Sequence, residues 1–190
     1  MAKIFHLRNF CTVLSIRGCI NFLQLARYGK HKEQRYRQQF EKPFDFLTFS
    51  KELILSSGSR RFAIAFDPSY ISKAGKKTPG VNWYWSGCAN QAKWGLEIGG
   101  LTAIDIDKHI AFHLEAVQTL KTDEQSLTNW CADVISARKD TLTSISKYMV
   151  ADSLFSKRTF VDPIVLMDMY LVNRFRYDAE LRYQRGKIYR

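Results

Sequence analysis

The stretch Arg61-Phe62-Ala63-Ile64-Ala65-Phe66-Asp67-Pro68-Ser69-Tyr70 is a run of β-prone apolar residues that ends on a carboxylate followed at once by proline. A continuous apolar run of this length reads as a buried strand, and its closing acid is delivered to the rim of a sheet. A second stretch, Tyr148-Met149-Val150-Ala151-Asp152-Ser153, has the same form. Two strands that each end in aspartate can set two carboxylates side by side, the donor set a divalent metal takes.

Working outward from Asp67, the chain reads as a loop over Ser72-Lys73-Ala74-Gly75-Lys76-Lys77-Thr78-Pro79-Gly80. Its lysines and glycines lack the spacing of a nucleotide-binding phosphate loop, yet a basic loop after a metal acid suits a nucleic-acid backbone. The aromatic run Val81–Trp85 and Trp94 read as core, with base stacking as the alternative. Gly95–Asp107 and His109–Gln118 follow as two strands joined at Asp107-Lys108, with Asp105 and Asp107 facing solvent or the turn. His109 and His113 read as structural, since no third ligand lies near them. A helix over Asp123–Lys139, starting near Thr122 or Asp123, carries Leu127, Trp130, Cys131, Val134 and Ile135 on its apolar stripe. After the Asp152 strand come a helix over Ser156–Leu166, which Pro163 should kink or end, and a last strand over Tyr170–Phe175.

Towards the N-terminus, residues 10–27 follow a helical period broken by Gly18, as one bent helix or two. Tyr28-Gly29-Lys30 reads as a turn and His31–Phe40 as a basic helix. This is the outline of a helix-turn-helix or of an ordinary helical hairpin. A further apolar segment, Phe44–Leu55, ends at Ser56-Ser57-Gly58-Ser59, the best linker in the chain. The expected division is therefore a helical, basic region over 1–58 and a sheet domain over 59–190.

Charge has the same division. The 190 residues carry a net charge of +11, distributed as +8 over residues 1–61, −1 over 62–173 and +4 over 174–190. Basic ends around a near-neutral middle suit a polyanion, whose counterions are released on binding, although a solvated basic surface has the same composition. The cysteines Cys11, Cys19, Cys88 and Cys131 form no paired spacing, which reads as reduced thiols in a cytoplasmic protein. No apolar run approaches the length of a membrane span, and charges interrupt the N-terminal segment, so neither a membrane partner nor a signal peptide is expected.

The order after the linker is β-β-β-α-β-α-β, with acids ending the first and fourth strands. In an RNase H-like mixed sheet those strands are neighbours, which would join Asp67 to Asp152. Two carboxylates bridging Mg²⁺ ions serve phosphoryl transfer.

Residues 20–46 (INFLQLARYGKHKEQRYRQQFEKPFDF), 62–88 (FAIAFDPSYISKAGKKTPGVNWYWSGC), 93–107 (KWGLEIGGLTAIDID), 148–162 (YMVADSLFSKRTFVD) and 173–183 (NRFRYDAELRY) resemble bacterial insertion-sequence transposases of the DDE type. The resemblance implies that Asp67 and Asp152 are the first two acids of a catalytic triad that holds Mg²⁺, with Mn²⁺ as a substitute. It also implies that the N-terminal region binds double-stranded DNA, namely transposon ends and target, through Arg27, Lys30, Lys32, Arg35 and Arg37. Lys73, Lys76, Lys77 and Arg158 are further candidate backbone contacts, and a homodimer or pairing with an intact transposase is the implied protein partnership.

The family's third acid is a glutamate within Tyr-x-x-Arg-x-x-x-Glu-x-x-x-x-x-x-Lys. Arg176, Glu180 and Lys187 keep three of these spacings, but Asn173 stands in the tyrosine position, so Glu180 reads as a decoy. On this reading the C-terminal part of the core is missing and the chain is a truncated transposase. Three functions remain open: a transposase by ancestry, a catalytically inactive DNA-binding remnant, and a non-transposase nuclease that recruits Glu180, Asp162 or Asp168.

Overall fold

A computed structural model describes residues 12–190 except 76, 121, 123, 178–181, 185, 186 and 190, with backbone alone at 182–184 and 187–189. The chain forms two compact units, Met1–Asp45 and Phe46–Arg190.

In the first unit a helical turn at 12–15 precedes helix α1 (Phe22–Tyr28) and helix α2 (Glu33–Phe40). Gly18 adopts φ +95°, a conformation other residues rarely reach, and it splits the N-terminal periodicity into two pieces. Asn21 caps α1 by accepting a hydrogen bond from the Gln24 N–H at 2.9 Å. The two helices close on Tyr36, which is fully buried with Leu25 and Ile16. Gly29 makes that closure possible, because a Cβ there would stand 2.0 Å from the Tyr36 hydroxyl. Arg37 lies over the Phe22 ring at 4.9 Å and pairs with Glu33, while Phe22 meets Phe40 edge-on.

The second unit is an α/β structure with an open mixed sheet. Helix α3 (Phe46–Ser57) leads into strand β1 (Phe62–Ser72), followed by β2 (Asn82–Ser86), β3 (Gln91–Asp105) and β4 (Ile110–Gln118). Helices α4 (Leu127–Ser136) and α5 (Lys139–Thr143) cross to strand β5 (Tyr148–Ala151). A single 3₁₀ turn (Ser153–Ser156) and helix α6 (Arg158–Leu166) cross to β6 (Tyr170–Asn173). A small hairpin of β7 (Arg182–Gln184) and β8 (Lys187–Tyr189) follows.

Strand β1 pairs antiparallel with β3 and parallel with β5, and β5 pairs parallel with β6. Gly95 of β3 pairs with both Ser72 and Asn82, so β2 lies on the edge opposite β1, the edge along which β4 continues. Strand β1 is buried at Phe62, Ile64 and Phe66, as a central strand should be. The core adds Leu47 and Ile54 of α3, Trp130, Cys131, Val134 and Ile135 of α4, Met149 of β5, and Phe160 and Ile164 of α6. Burial, with the nearby Glu97 carboxylate, pushes the Cys131 thiol up to about 12, leaving it a packing residue.

Several boundaries differ from the sequence reading, each for a local reason. The core unit opens at Phe46 rather than after the Ser-Gly run, because Leu47 and Ile54 bury α3 with the sheet. Strand β1 runs through Pro68 to Ser72 instead of stopping at Asp67. Beyond Ala65 only β3 continues beside it, so its other edge needs no N–H from proline. Helix α4 begins after Ser126, whose hydroxyl accepts from the Asn129 N–H at 3.2 Å, three residues beyond Asp123, which lies outside the described residues. Pro163 sits inside α6 without ending it.

Asp105 faces the β3–β4 turn, one of its two expected settings, and is buried there rather than open to solvent. Its carboxylate accepts from the Ser59 N–H (2.6 Å) and hydroxyl (2.7 Å) and from the N–H groups of Asp107 (3.1 Å) and Lys108 (3.0 Å). Burial works to raise its pKa, but these four hydrogen bonds outweigh it and hold the group at about 2. Asp105 thereby fastens the entry of β1 to the β3–β4 turn, where Arg61 also pairs with Asp107.

No helix among the described residues is long and apolar enough to cross a membrane.

Candidate active site

Three parallel strands, β1, β5 and β6, point the same way; β5 and β6 end at one rim, and β1 passes that rim paired with β3 alone. The β1–β5 register sets Ile64 beside Met149 and Ala65 beside Val150. Continuing it by two residues places Asp67 level with Asp152. The electrostatics agree: the flanking structure desolvates the Asp67 carboxyl although solvent still reaches it, and the Asp152 charge repels it, so its pKa rises. The carboxylate of Asp67 accepts no hydrogen bond from the described residues. Asp152 is exposed and caps the 3₁₀ turn, accepting from the Leu154 N–H at 2.9 Å.

A packed aromatic cluster lies directly behind the pair. Phe66, the residue before Asp67, meets Phe155 edge-on at 5.9 Å, and Phe155 packs on Phe160 of α6 at 4.6 Å. All three rings are buried. Gly99 of β3 leaves room for Phe66, since a Cβ there would come within 2.6 Å of its ring. The two acids are thus carried on backbone whose neighbouring side chains are locked together.

An open cleft of about 490 Å³ adjoins Asp152. Trp85, Leu154 and Arg174 through Tyr177, the segment leaving β6 at the same rim, line it. The side-chain nitrogen of Asn173, the last residue of β6, is buried without a hydrogen-bond partner among the described residues.

The other predicted residues fall in separate places. Arg158 is exposed at the start of α6 and donates to Asp162 at 3.2 Å. Lys73 and Lys77 are exposed in the loop after β1, and Lys76 lies outside the described residues. Arg27, Lys30, Lys32, Arg35 and Arg37 are exposed on the α1–α2 hairpin of the other compact unit.

Neither candidate third acid with a described position joins the pair. Asp162 is held by Arg158 on α6, and Asp168 pairs with Lys147 at the opposite, amino-terminal end of β5 and β6. Glu180 lies outside the described residues. Among the described residues no group of three or more His, Cys, Asp or Glu side chains is arranged to hold a metal.

The aromatic run is where sequence reasoning falls furthest short. Trp83 and Trp85 are 64% and 61% exposed and do not belong to the core. Strand β2 is short and lies at an edge, which leaves both tryptophans exposed around half-buried Tyr84; the run Trp83-Tyr84-Trp85, aromatic at every position, carries no alternation that could have shown this. Nothing local in the sequence points to Arg174, Phe175 and Tyr177 as site residues, because only the parallel β5–β6 pairing brings them to the rim occupied by Asp152.

No protein-family model matches the chain, and no curated protein matches it significantly.

Proposed function

We propose that this chain is a DDE-type transposase core, which binds transposon-end DNA and cuts and joins strands by metal-dependent phosphoryl transfer. The observation that carries the reading is the parallel β1–β5 register, which sets Asp67, within β1, level with Asp152, the residue after β5; desolvation first, and then the Asp152 charge, raise the pKa of Asp67. The strand order supports an RNase H-like assignment. Antiparallel β4, β3 and β1 lead into parallel β5 and β6 through helical crossovers, and β2 is a short addition.

A pair of repelling, solvent-accessible carboxylates suits a hard cation that keeps part of its water shell. Asp67 and Asp152 would hold Mg²⁺, or Mn²⁺ in its place. When bound, the ion supplies charge stabilisation at the attacking and leaving oxygens of a phosphodiester. The chain's own contribution is positional: Phe66 and Phe155 fix the backbone on either side of the pair, within β1 and just past β5, and the Asp152 cap orients its carboxylate. The basic α1–α2 hairpin would grip duplex DNA through Arg27, Lys30, Lys32 and Arg35, with Arg37 partly committed to Glu33 and Phe22. Transposon ends and target DNA are the proposed partners, together with a second copy of the chain or an intact transposase.

A second reading, DNA binding without cleavage, is favoured by one observation: among the described residues no third acid completes the pair. Mg²⁺- or Mn²⁺-dependent nicking of linear DNA carrying the flanking inverted repeats separates the two. Cleavage lost in both Asp67→Ala and Asp152→Ala supports the enzyme. Salt-sensitive binding with no cleavage in any protein supports the second reading.

A further inference from the structure

The cleft beside Asp152 has a lining that the carboxylate pair does not explain. Trp85, Phe175 and Tyr177 are all open to solvent, Tyr177 completely, and they share the cleft with Arg174 and Arg176. Large aromatic rings held in water at one concavity forfeit burial that the core could have supplied. Arg174 sets a guanidinium in this lining beside the Asp152 carboxylate.

The aromatic surface continues past the cleft. Trp83 lies two residues before Trp85, on the same face of β2, and meets Trp94 edge-on at 6.0 Å. The indole N–H of Trp94 donates to the Gly75 carbonyl at 3.3 Å, which ties the basic loop after β1 to this hairpin. A strip of rings therefore runs from the Lys73–Lys77 loop through Trp85 to Asp152, with the arginines beyond.

We propose that this strip binds single-stranded DNA, bases stacking on Trp85 and Tyr177 and phosphates meeting Arg174 and Arg176, so that an unpaired strand is presented to Asp67 and Asp152. A duplex hides its base faces inside its own stack, so exposed rings gain nothing from it. A single strand offers a π-face at every nucleotide, and a basic groove with aromatic platforms is the chemistry that takes it. The presentation step rests on the catalytic reading of the carboxylate pair. The binding itself does not.

The test is fluorescence anisotropy of the full chain with a labelled oligothymidylate and a duplex of equal length, in EDTA so that no cleavage intervenes. The expected result is tighter binding of the single strand, weakened about tenfold by Trp85→Ala and largely kept by Trp85→Phe. Arg174→Ala should flatten the salt dependence by about 0.7 in log–log slope, the loss of one phosphate contact to a single strand. Should Trp85→Ala fail to fold by circular dichroism, Tyr177→Ala, which removes a wholly exposed ring, takes its place and should weaken binding several-fold. The proposal is overturned if the aromatic and Arg174 variants bind oligothymidylate like the unaltered chain. Equal weakening of duplex and single strand overturns it too. A failure of the catalytic reading would appear differently: no Mg²⁺-dependent nicking by the unaltered chain, with its oligothymidylate binding in EDTA, and the loss of that binding in Trp85→Ala, as expected.

Discussion

Phe155 is the side chain on which both the core and the carboxylate pair depend. It is wholly buried, three residues past Asp152, with its ring 5.9 Å from Phe66 and 4.6 Å from Phe160. Phe155→Ala empties a closed aromatic cluster, and buried Phe→Ala changes cost about 3–5 kcal/mol. Because this ring packs on two others, the expectation lies near the middle of that range, about 4 kcal/mol. With a urea slope of about 2 kcal/mol per molar, the midpoint should fall by roughly 2 M at unchanged slope. Leu166→Ala, at the end of α6 and 84% exposed, should move stability by less than about 0.5 kcal/mol. Phe155→Leu keeps most of the volume and should fold, at a cost of about 1–1.5 kcal/mol, while removing the edge-on packing that fixes the Asp152 strand end. Metal-dependent nicking should then fall by at least about tenfold, since small misplacements of reacting groups are expensive. A midpoint shift under about 0.5 M for Phe155→Ala, or undiminished nicking by Phe155→Leu, refutes the reasoning.

The carboxylate pair itself gives a prediction with the opposite sign. Because the folded pKa of Asp67 is raised, its protonation favours the folded state; that advantage is complete below its unfolded pKa and is lost as pH rises through the folded value. Asp67→Asn and Asp152→Asn should therefore raise the melting temperature at neutral pH; if the pair holds Mg²⁺ as proposed, each should also abolish nicking and any Mg²⁺-induced thermal shift. Asp105 behaves conversely, with a folded pKa of about 2. Its stabilisation is complete above about pH 4 and lost towards pH 2, so urea midpoints of Asp105→Asn and the unaltered chain should differ at neutral pH and converge across that window. Gly99→Ala sets a methyl 2.6 Å from the locked Phe66 ring and should cost about 1–3 kcal/mol by urea denaturation. The same variant should lower nicking, because Phe66 precedes Asp67.

Much of the carboxylate pair is legible along the chain because each acid follows its own apolar run. Strands buried on both faces write themselves as uninterrupted Val, Ile, Phe and Ala, and an acid closing such a run marks where burial ends, although β1 itself continues to Ser72. The buried stripe of α4 is equally plain, since helical periodicity records which face is covered. Position within a sheet is not recorded in this way. Trp83 and Trp85 look like core residues in sequence, and only the edge placement of β2 leaves them in water. Asp105 looks like a polar residue on an alternating strand, and only Ser59, 46 residues earlier, turns it into a buried anchor.

The sequence by itself determined the α/β class, the basic helical hairpin, and that two aspartates each close an apolar run, because period, turn chemistry and charge are local properties. The tertiary structure alone decided that Asp67 and Asp152 stand level, that Asp162 and Asp168 are held elsewhere, and that Trp85 and Arg174 share a cleft with Asp152. Those relations depend on pairing between strands whose partner residues, Ile64 and Met149, are 85 apart in the chain. Register of that kind is set by how apolar faces meet across the sheet.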